Sequence, residues 1–149
     1  MTPLVTTIIP VYNQQRYLAD AIGSVLLQTG IPTEVWIVDD GSTDESSLVA
    51  DRMIQQSTHI PMHLLRQPNL GAAAARNAGA AHGTGEFLAF LDADDLWTEG
   101  RLSAMLAAFT VVPSLQVVFG YVEQFISPEL DEASRQKLIC PTEPQPGYH

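Results

Sequence analysis

The sequence has 149 residues, 46% of them apolar, and a net charge of −10 from 17 acidic side chains against seven Lys and Arg. That size fits one domain with a real hydrophobic core, the apolar runs are far too short to span a membrane, and a single cysteine, Cys140, excludes an internal disulfide and suits a reducing cytoplasm. So acidic a surface repels nucleic acid, and a diphosphate beside its carboxylates would need a metal between the two negative groups.

Met1 to Val5 has no basic region ahead of an apolar segment, so no signal peptide is expected. Val5 to Ile9 is β-branched and reads as a strand that stops at Pro10. Asn13 is placed to cap a helix whose apolar face is Leu18, Ala21, Ile22, Val25 and Leu26, with Gly30 and Pro32 ending it. Glu34 to Val38 is a second strand, closed by Asp39-Asp40-Gly41. Ser42 and Glu45 have capping-box spacing before a second helix carrying Leu48, Val49, Arg52 and Met53.

Met62 to Leu65 is a short third strand. Asn69-Leu70-Gly71 turns into an alanine-rich helix, Ala72 to Ala81, stopped by Gly83. Phe87 to Leu91 is uninterrupted apolar sequence and reads as a buried fourth strand. A fourth helix follows, with Leu102, Met105, Leu106 and Phe109 on one face. Gln116 to Phe119 and Tyr121 to Phe125 read as one strand or two, kinked at Gly120, and a short helix is expected at Asp131 to Leu138. Strand–helix alternation of this kind predicts an α/β sandwich with a largely parallel sheet, whose ligands bind beyond the carboxyl ends of the strands.

Three polar clusters fall at those ends: Pro10-Val11-Tyr12-Asn13, Asp39-Asp40-Gly41-Ser42 and Asp92-Ala93-Asp94-Asp95. The last is the densest. A knot of like charge directly after a strand is costly unless a cation sits there, and hard divalent ions take carboxylate oxygens. Asp-x-Asp alone is a weak signal in a chain this acidic, and its place after an apolar strand gives it weight. Asp95 either caps the next helix or holds a loop. One of Asp39 and Asp40 can accept hydrogen bonds from a base or a sugar, the other being turn chemistry. Tyr12 either stacks on a base or is an ordinary exposed tyrosine. Arg76 faces either solvent or the acidic rim. His59, His63 and His82 have no metal-ligand spacing, and Cys140 reads as structural.

Ile8-Ile9-Pro10-Val11-Tyr12-Asn13, Val38-Asp39-Asp40-Gly41-Ser42-Thr43-Asp44, Asn69-Leu70-Gly71 with Ala75-Arg76-Asn77-Ala78-Gly79, and Gly85 to Asp95 resemble, in order and spacing, the family-2 glycosyltransferases of GT-A fold. The likeness runs from about Val5 to Leu102. It implies a Rossmann-like α/β/α sandwich with a mostly parallel sheet, divided into a donor-binding domain over residues 1–126 and the polar, incomplete start of an acceptor-side segment over 127–149. It implies a nucleotide-sugar donor, first of all a UDP-sugar, and a divalent metal, Mn2+ or Mg2+. By position, Pro10, Tyr12 and Asp40 would line the nucleoside pocket, with Asp40 on the base. Asp92 would lie by the ribose and metal, Ala93 would approach through its backbone, Asp94 would be the direct metal ligand, and Arg76 would lie on the donor side. The reaction implied is inverting transfer of a sugar to an acceptor hydroxyl.

Two departures stand out. Glu99 replaces a proline frequent two residues after the family's tryptophan. The family's catalytic base lies well beyond the acidic motif, and Glu123, Glu129, Asp131 and Glu132 match no motif for it. The base therefore stays unassigned, and this stretch is expected to bind nucleotide and metal while transferring poorly by itself. A cytoplasmic location, free or peripheral to the inner face of the membrane, and a homodimer covering an incomplete sheet are compatible with the sequence. Two rivals fit less well. A metal-dependent nucleotidyltransferase would want a Gly-rich basic loop after the first strand. A non-catalytic nucleotide-binding or phospho-acceptor module of the signalling type would want its acidic pair after the first strand and a lysine after a late one; the only lysine, Lys137, lies in the polar tail.

Overall fold

Among the described residues four strands and four helices alternate: β1 Val5–Val11, α1 Leu18–Leu26, β2 Thr33–Asp39, α2 Ser46–Gln56, β3 Met62–Arg66, α3 Ala72–His82, β4 Phe87–Phe90 and α4 Arg101–Val111. The computed structural model describes residues 5–123 and 125. The strands form one parallel sheet in the order β3-β2-β1-β4. Central β1 is buried along its whole length, Thr6 and Thr7 included. One compact unit ends at Val118 and a second begins at Phe119. Among the described residues no helix is long and apolar enough to cross a membrane.

Side chains alternate between the two faces of the sheet. Ile9, Val11, Val35 and Ile37 pack with Leu18, Ala21, Ile22 and Val25 of α1, Ala50 of α2 and Leu102 of α4. Ile8 and Val38 point the other way, onto Ala75 of α3. The sheet is thus covered by α1, α2 and α4 on one side and α3 on the other. The alanine-rich sequence of α3 lets it come close: a Cβ at Gly79 would lie 2.6 Å from Ile8 Cγ2 and 3.2 Å from Val38 Cγ2. Gly79→Ala is expected to destabilise the fold by about 1–3 kcal/mol through overpacking, read as a lower denaturant midpoint with an unchanged slope.

Several local expectations are corrected. β1 runs through Pro10 to Val11. In a parallel ladder successive residues bond to opposite neighbours. Ile8 bonds toward β4 and Val11 toward β2, so Pro10 faces β4 beyond the last paired residue, Phe90, where a missing N–H breaks no ladder bond. α1 starts at Leu18 without a side-chain cap and stops at Leu26, before Gly30. α2 starts at Ser46, not after Ser42, and its inner face carries Ser46 and Ala50, leaving Leu48 exposed. Among the described residues β4 is an edge strand, not a buried one: Phe87 and Ala89 face α4, while Leu88 and Phe90 are about half exposed. No strand forms over 116–119 or among the described residues of 121–125. The helix expected at Asp131 to Leu138, Cys140 and Lys137 lie outside the described residues.

Candidate functional site

The parallel order puts the carboxyl ends of β1, β2 and β4 on one rim, and the loops leaving them are cross-tied. Asn13 has a left-handed backbone, φ 55°. Its Oδ1 accepts the backbone N–H groups of Thr43 and Asp44 at 2.8 and 3.3 Å, and its own N–H donates to Ser42 Oγ at 3.0 Å. The Gln15 N–H donates to Asp44 Oδ2 at 3.1 Å, and Gln15 Oε1 accepts from the Glu45 N–H at 2.8 Å. Asn13 thus clamps the loop after β1 to the loop after β2 instead of capping α1. Asp44, not Ser42, takes the Ser46 N–H at the start of α2, at 2.9 Å.

The adjacent aspartates at the end of β2 point to opposite faces, like Ile37 and Val38 before them. Asp39 turns toward α2: its carboxylate accepts the Ser42 N–H at 2.8 Å and the Ser47 hydroxyl. Asp40 turns toward α3 and is 3% exposed. Its Oδ1 accepts from Gln67 Nε2 at 2.7 Å and the Leu70 N–H at 2.8 Å, and its Oδ2 accepts the Gly71 N–H at 2.8 Å. Burial alone would raise its pKa, but the bonds from Leu70, Gln67 and Gly71 prevail and hold it below the ordinary value of 3.8. Asp40 is therefore a buried anion that fixes the loop between β3 and α3. A carboxylate offers about four acceptor positions, so one remains for a ligand.

At the end of β4 the Leu91 N–H continues the ladder to Ile8 O at 3.1 Å, and the Asp95 N–H closes a turn on Asp92 O at 3.0 Å. Ala93 is buried while Asp92, Asp94 and Asp95 are exposed. Arg76 of α3 faces this rim, not solvent, and Nη2 lies 2.5 Å from Asp92 Oδ1. Asp94 makes no hydrogen bond or ion pair with a described residue. Asp95 caps no helix, since α4 begins at Arg101 behind Gly100. Partial desolvation, then the charges of Asp94 and Asp92, push the Asp95 carboxyl above its usual range against the pull of Arg101.

These groups enclose a cavity of about 190 Å³ lined by Pro10, Tyr12, Asp40, Arg76, Asp92, Ala93 and Asp94, with Val11, Gln14 and Ala72. The seven residues singled out from the sequence share this one cavity. Gln14 and Ala72 carried no sequence signal, being a surface-like glutamine after Asn13 and the first residue of an alanine run. The cavity is divided by chemistry. Tyr12, about half exposed, Pro10, Gln14, Ala72 and Asp40 form a largely uncharged part, and Arg76, Asp92 and Asp94 a charged one. The histidines stand elsewhere: His63 and His82 pack on Trp36, ring centroids 4.5 and 5.0 Å away, and His59 is exposed.

The family model Glycosyl transferase family 2 matches residues 6–146. The chain belongs to that family. An uncharacterized glycosyltransferase of Nostoc sp. is 45% identical over 105 residues, 70% of this chain and 32% of that protein. The glycosyltransferase GlyG of Streptococcus pneumoniae is 34% identical over 106 residues, 70% of this chain and 35% of that protein. Among solved structures, the mannosyltransferase PcManGT from Pyrobaculum calidifontis, in complex with GDP-Man and Mn2+, shares 28% identity at a TM-score of 0.69, covering 73% of this chain and 33% of its own. TarS of S. aureus in complex with UDP-GlcNAc shares 26% at a TM-score of 0.61, covering 72% and 31%. This family-2 chain thus spans about a third of the length of these relatives.

Among the described residues no three His, Cys, Asp or Glu side chains group as a metal site. The pair at hand nevertheless fits a divalent ion. Magnesium and manganese at nucleotide sites take one or two protein carboxylates and complete their shell with phosphate oxygens and water. Asp92 and Asp94, exposed at the charged end of the cavity, match that share.

Proposed function

We propose that this chain is the donor-binding part of a glycosyltransferase that holds a nucleoside diphosphate sugar, first of all a UDP-sugar, through a divalent metal for inverting transfer to an acceptor hydroxyl. The observation that carries the reading is the joint cavity: an aromatic ring and a buried carboxylate share its lining with two exposed carboxylates and an arginine. The base fits beside Tyr12, with its N–H edge on the remaining acceptor position of Asp40. The ribose and the diphosphate fit toward Asp92, Ala93 and Asp94. Asp92 and Asp94 would hold the Mn2+ or Mg2+, whose charge would supply stabilisation for the departing diphosphate. Arg76 has only a partly exposed ion pair to give up, worth at most about 1 kcal/mol, so it can turn to a phosphate once donor enters.

In this reading residues 1–126 serve the donor, and 127–149 begin the acceptor side; no residue of the chain is assigned the catalytic base. The protein would work on the cytoplasmic side, free or at the inner membrane face, as a monomer or a homodimer. The nucleotide-binding complexes of PcManGT and TarS support a sugar nucleotide and leave GDP as the alternative to UDP. Calorimetry with UDP, GDP and CDP, each with and without manganese, tests the proposal. One nucleotide should bind most tightly and gain affinity with the metal. Equal weak binding of all three, indifferent to manganese, would refute it.

A further inference from the structure

The acidic motif lies on a ten-residue connection between β4 and α4, and its geometry is set by two polar side chains far away in sequence. Ser24, in α1, is 7% exposed, and Gln28, just past the end of α1, is 3% exposed. Ser24 Oγ accepts the Trp97 N–H at 3.0 Å and donates to Ala21 O at 2.7 Å. Gln28 Nε2 donates to Thr98 O at 2.9 Å and to Ser24 O at 3.2 Å, and Gln28 Oε1 accepts the Leu102 N–H at 3.1 Å. The Gln28 amide therefore closes the first turn of α4 and ties Thr98 at once. Every polar atom of these two side chains is used, and all the partners from the motif side are backbone groups. The pair does not select a side chain; it sets where the chain runs.

Two anchors result, one on each side of the carboxylates. Before them, the Leu91 N–H is fixed to Ile8 O. After them, Trp97 is held by Ser24 through its backbone and by the core through its buried ring, over which Arg101 sits at 5.8 Å. Between these points Asp92 pairs with Arg76, Ala93 packs into the core and the Asp95 N–H closes on Asp92 O. The Asp94 side chain has no described partner of its own, so its place follows the backbone that these contacts and the two anchors fix. Ser24 and Gln28 do not line the cavity.

We propose that Ser24 and Gln28 are positioning residues for Asp92 and Asp94, holding the acidic motif where the carboxylates can share a divalent ion with the diphosphate. This rests on the donor-site reading above. Outer-sphere groups that orient metal ligands typically matter by 10–100-fold in metal affinity when removed, and the same scale applies here.

The test compares the unmodified chain with Gln28→Met, which keeps the volume, and Ser24→Ala, which deletes one oxygen. Three readouts are needed: hydrogen exchange at the Trp97 and Leu102 amides, nucleoside diphosphate affinity with and without Mn2+, and the electron paramagnetic resonance signal of bound Mn2+. Faster exchange at these amides, a manganese-dependent gain in affinity cut about tenfold or more, an altered Mn2+ signal, and metal-free affinity left as it was are the expected results. Faster exchange with an intact manganese gain and signal would reduce the pair to a structural role and overturn the proposal. Unchanged exchange would overturn it as well. If Gln28→Met does not fold, Ser24→Ala decides by the same criteria. If the unmodified chain itself shows no manganese gain, the donor-site reading fails, an outcome separate from a gain that is present and survives both substitutions.

Discussion

Asp94→Ala is expected to abolish the manganese-dependent gain in nucleotide affinity and to leave the fold untouched. The two halves of that expectation come from one observation. Asp94 is exposed in the charged end of the cavity and bonds to no described residue. Its removal breaks no hydrogen bond or ion pair with a described residue, and surface changes of this kind stay within about 0.5 kcal/mol of stability. Of the three carboxylates that line the cavity, it is the one with no described side-chain partner. Asp92 differs, because Arg76 already neutralises part of it. Loss of a direct ligand should exceed the roughly 10–100-fold that loss of an outer-sphere partner costs. Metal-free binding, carried by Tyr12, Asp40 and the walls of the uncharged compartment, should persist. Titrations of nucleotide into both proteins, with and without Mn2+, alongside a thermal melt, measure all of this. Wild-type manganese dependence in Asp94→Ala would remove the metal from this site. A large loss of thermal stability would instead mean that Asp94 holds structure.

Seven of the residues lining this cavity were singled out from the sequence, because strand ends in a parallel sheet meet at one rim, so polar clusters far apart along the chain become neighbours. What local reading missed is what depends on partners elsewhere. The Ser42–Glu45 spacing suits a capping box, yet Ser42 Oγ takes the Asn13 N–H and the Glu45 N–H goes to Gln15. Contacts between loops some thirty residues apart replaced the local cap. Phe87 to Leu91 reads as buried because every residue is apolar, but burial on both faces also needs cover, and among the described residues β4 has a strand on one side alone. Strand order cannot be read from periodicity. Ser24 and Gln28 gave no signal at all: on a helical wheel they are ordinary polar positions, and their partners are the backbone of residues 97–102. The residue types alone left Asp39 and Asp40 open, and only the family resemblance named Asp40. Which face of β2 each one follows, α2 for Asp39 and α3 for Asp40, depends on the packing and was closed to local reading.

Asp40 is where the fold and the site cannot be separated, and Asp40→Ala is expected to cost both. Its carboxylate satisfies the Leu70 and Gly71 N–H groups and the Gln67 amide. A buried donor left without an acceptor costs about 1–3 kcal/mol. Water can reach this half-open loop and recover part of that, so a net loss of about 2–4 kcal/mol is expected. Asp40→Asn should cost less. It keeps one oxygen for Gln67 or Leu70 but sets an amide donor against another N–H. The effect has a pH signature. The folded carboxyl titrates below its ordinary value of 3.8, so the stability it adds is fully present above the unfolded value and is lost as pH falls through the folded one. Asp44 and Glu34 are depressed in the same direction by their own hydrogen bonds, which outweigh burial, so the whole protein should weaken in acid. The difference between wild type and Asp40→Asn isolates the Asp40 share: large at neutral pH and shrinking once pH drops below the ordinary carboxylate value. Urea unfolding of both proteins across that range, with UDP affinity measured at neutral pH, reads the two roles together. A stability gap that stays constant with pH would mean that the charge is not what holds the loop at residues 67–71. Wild-type nucleotide affinity in a folded Asp40→Asn would mean that the free acceptor position faces no base.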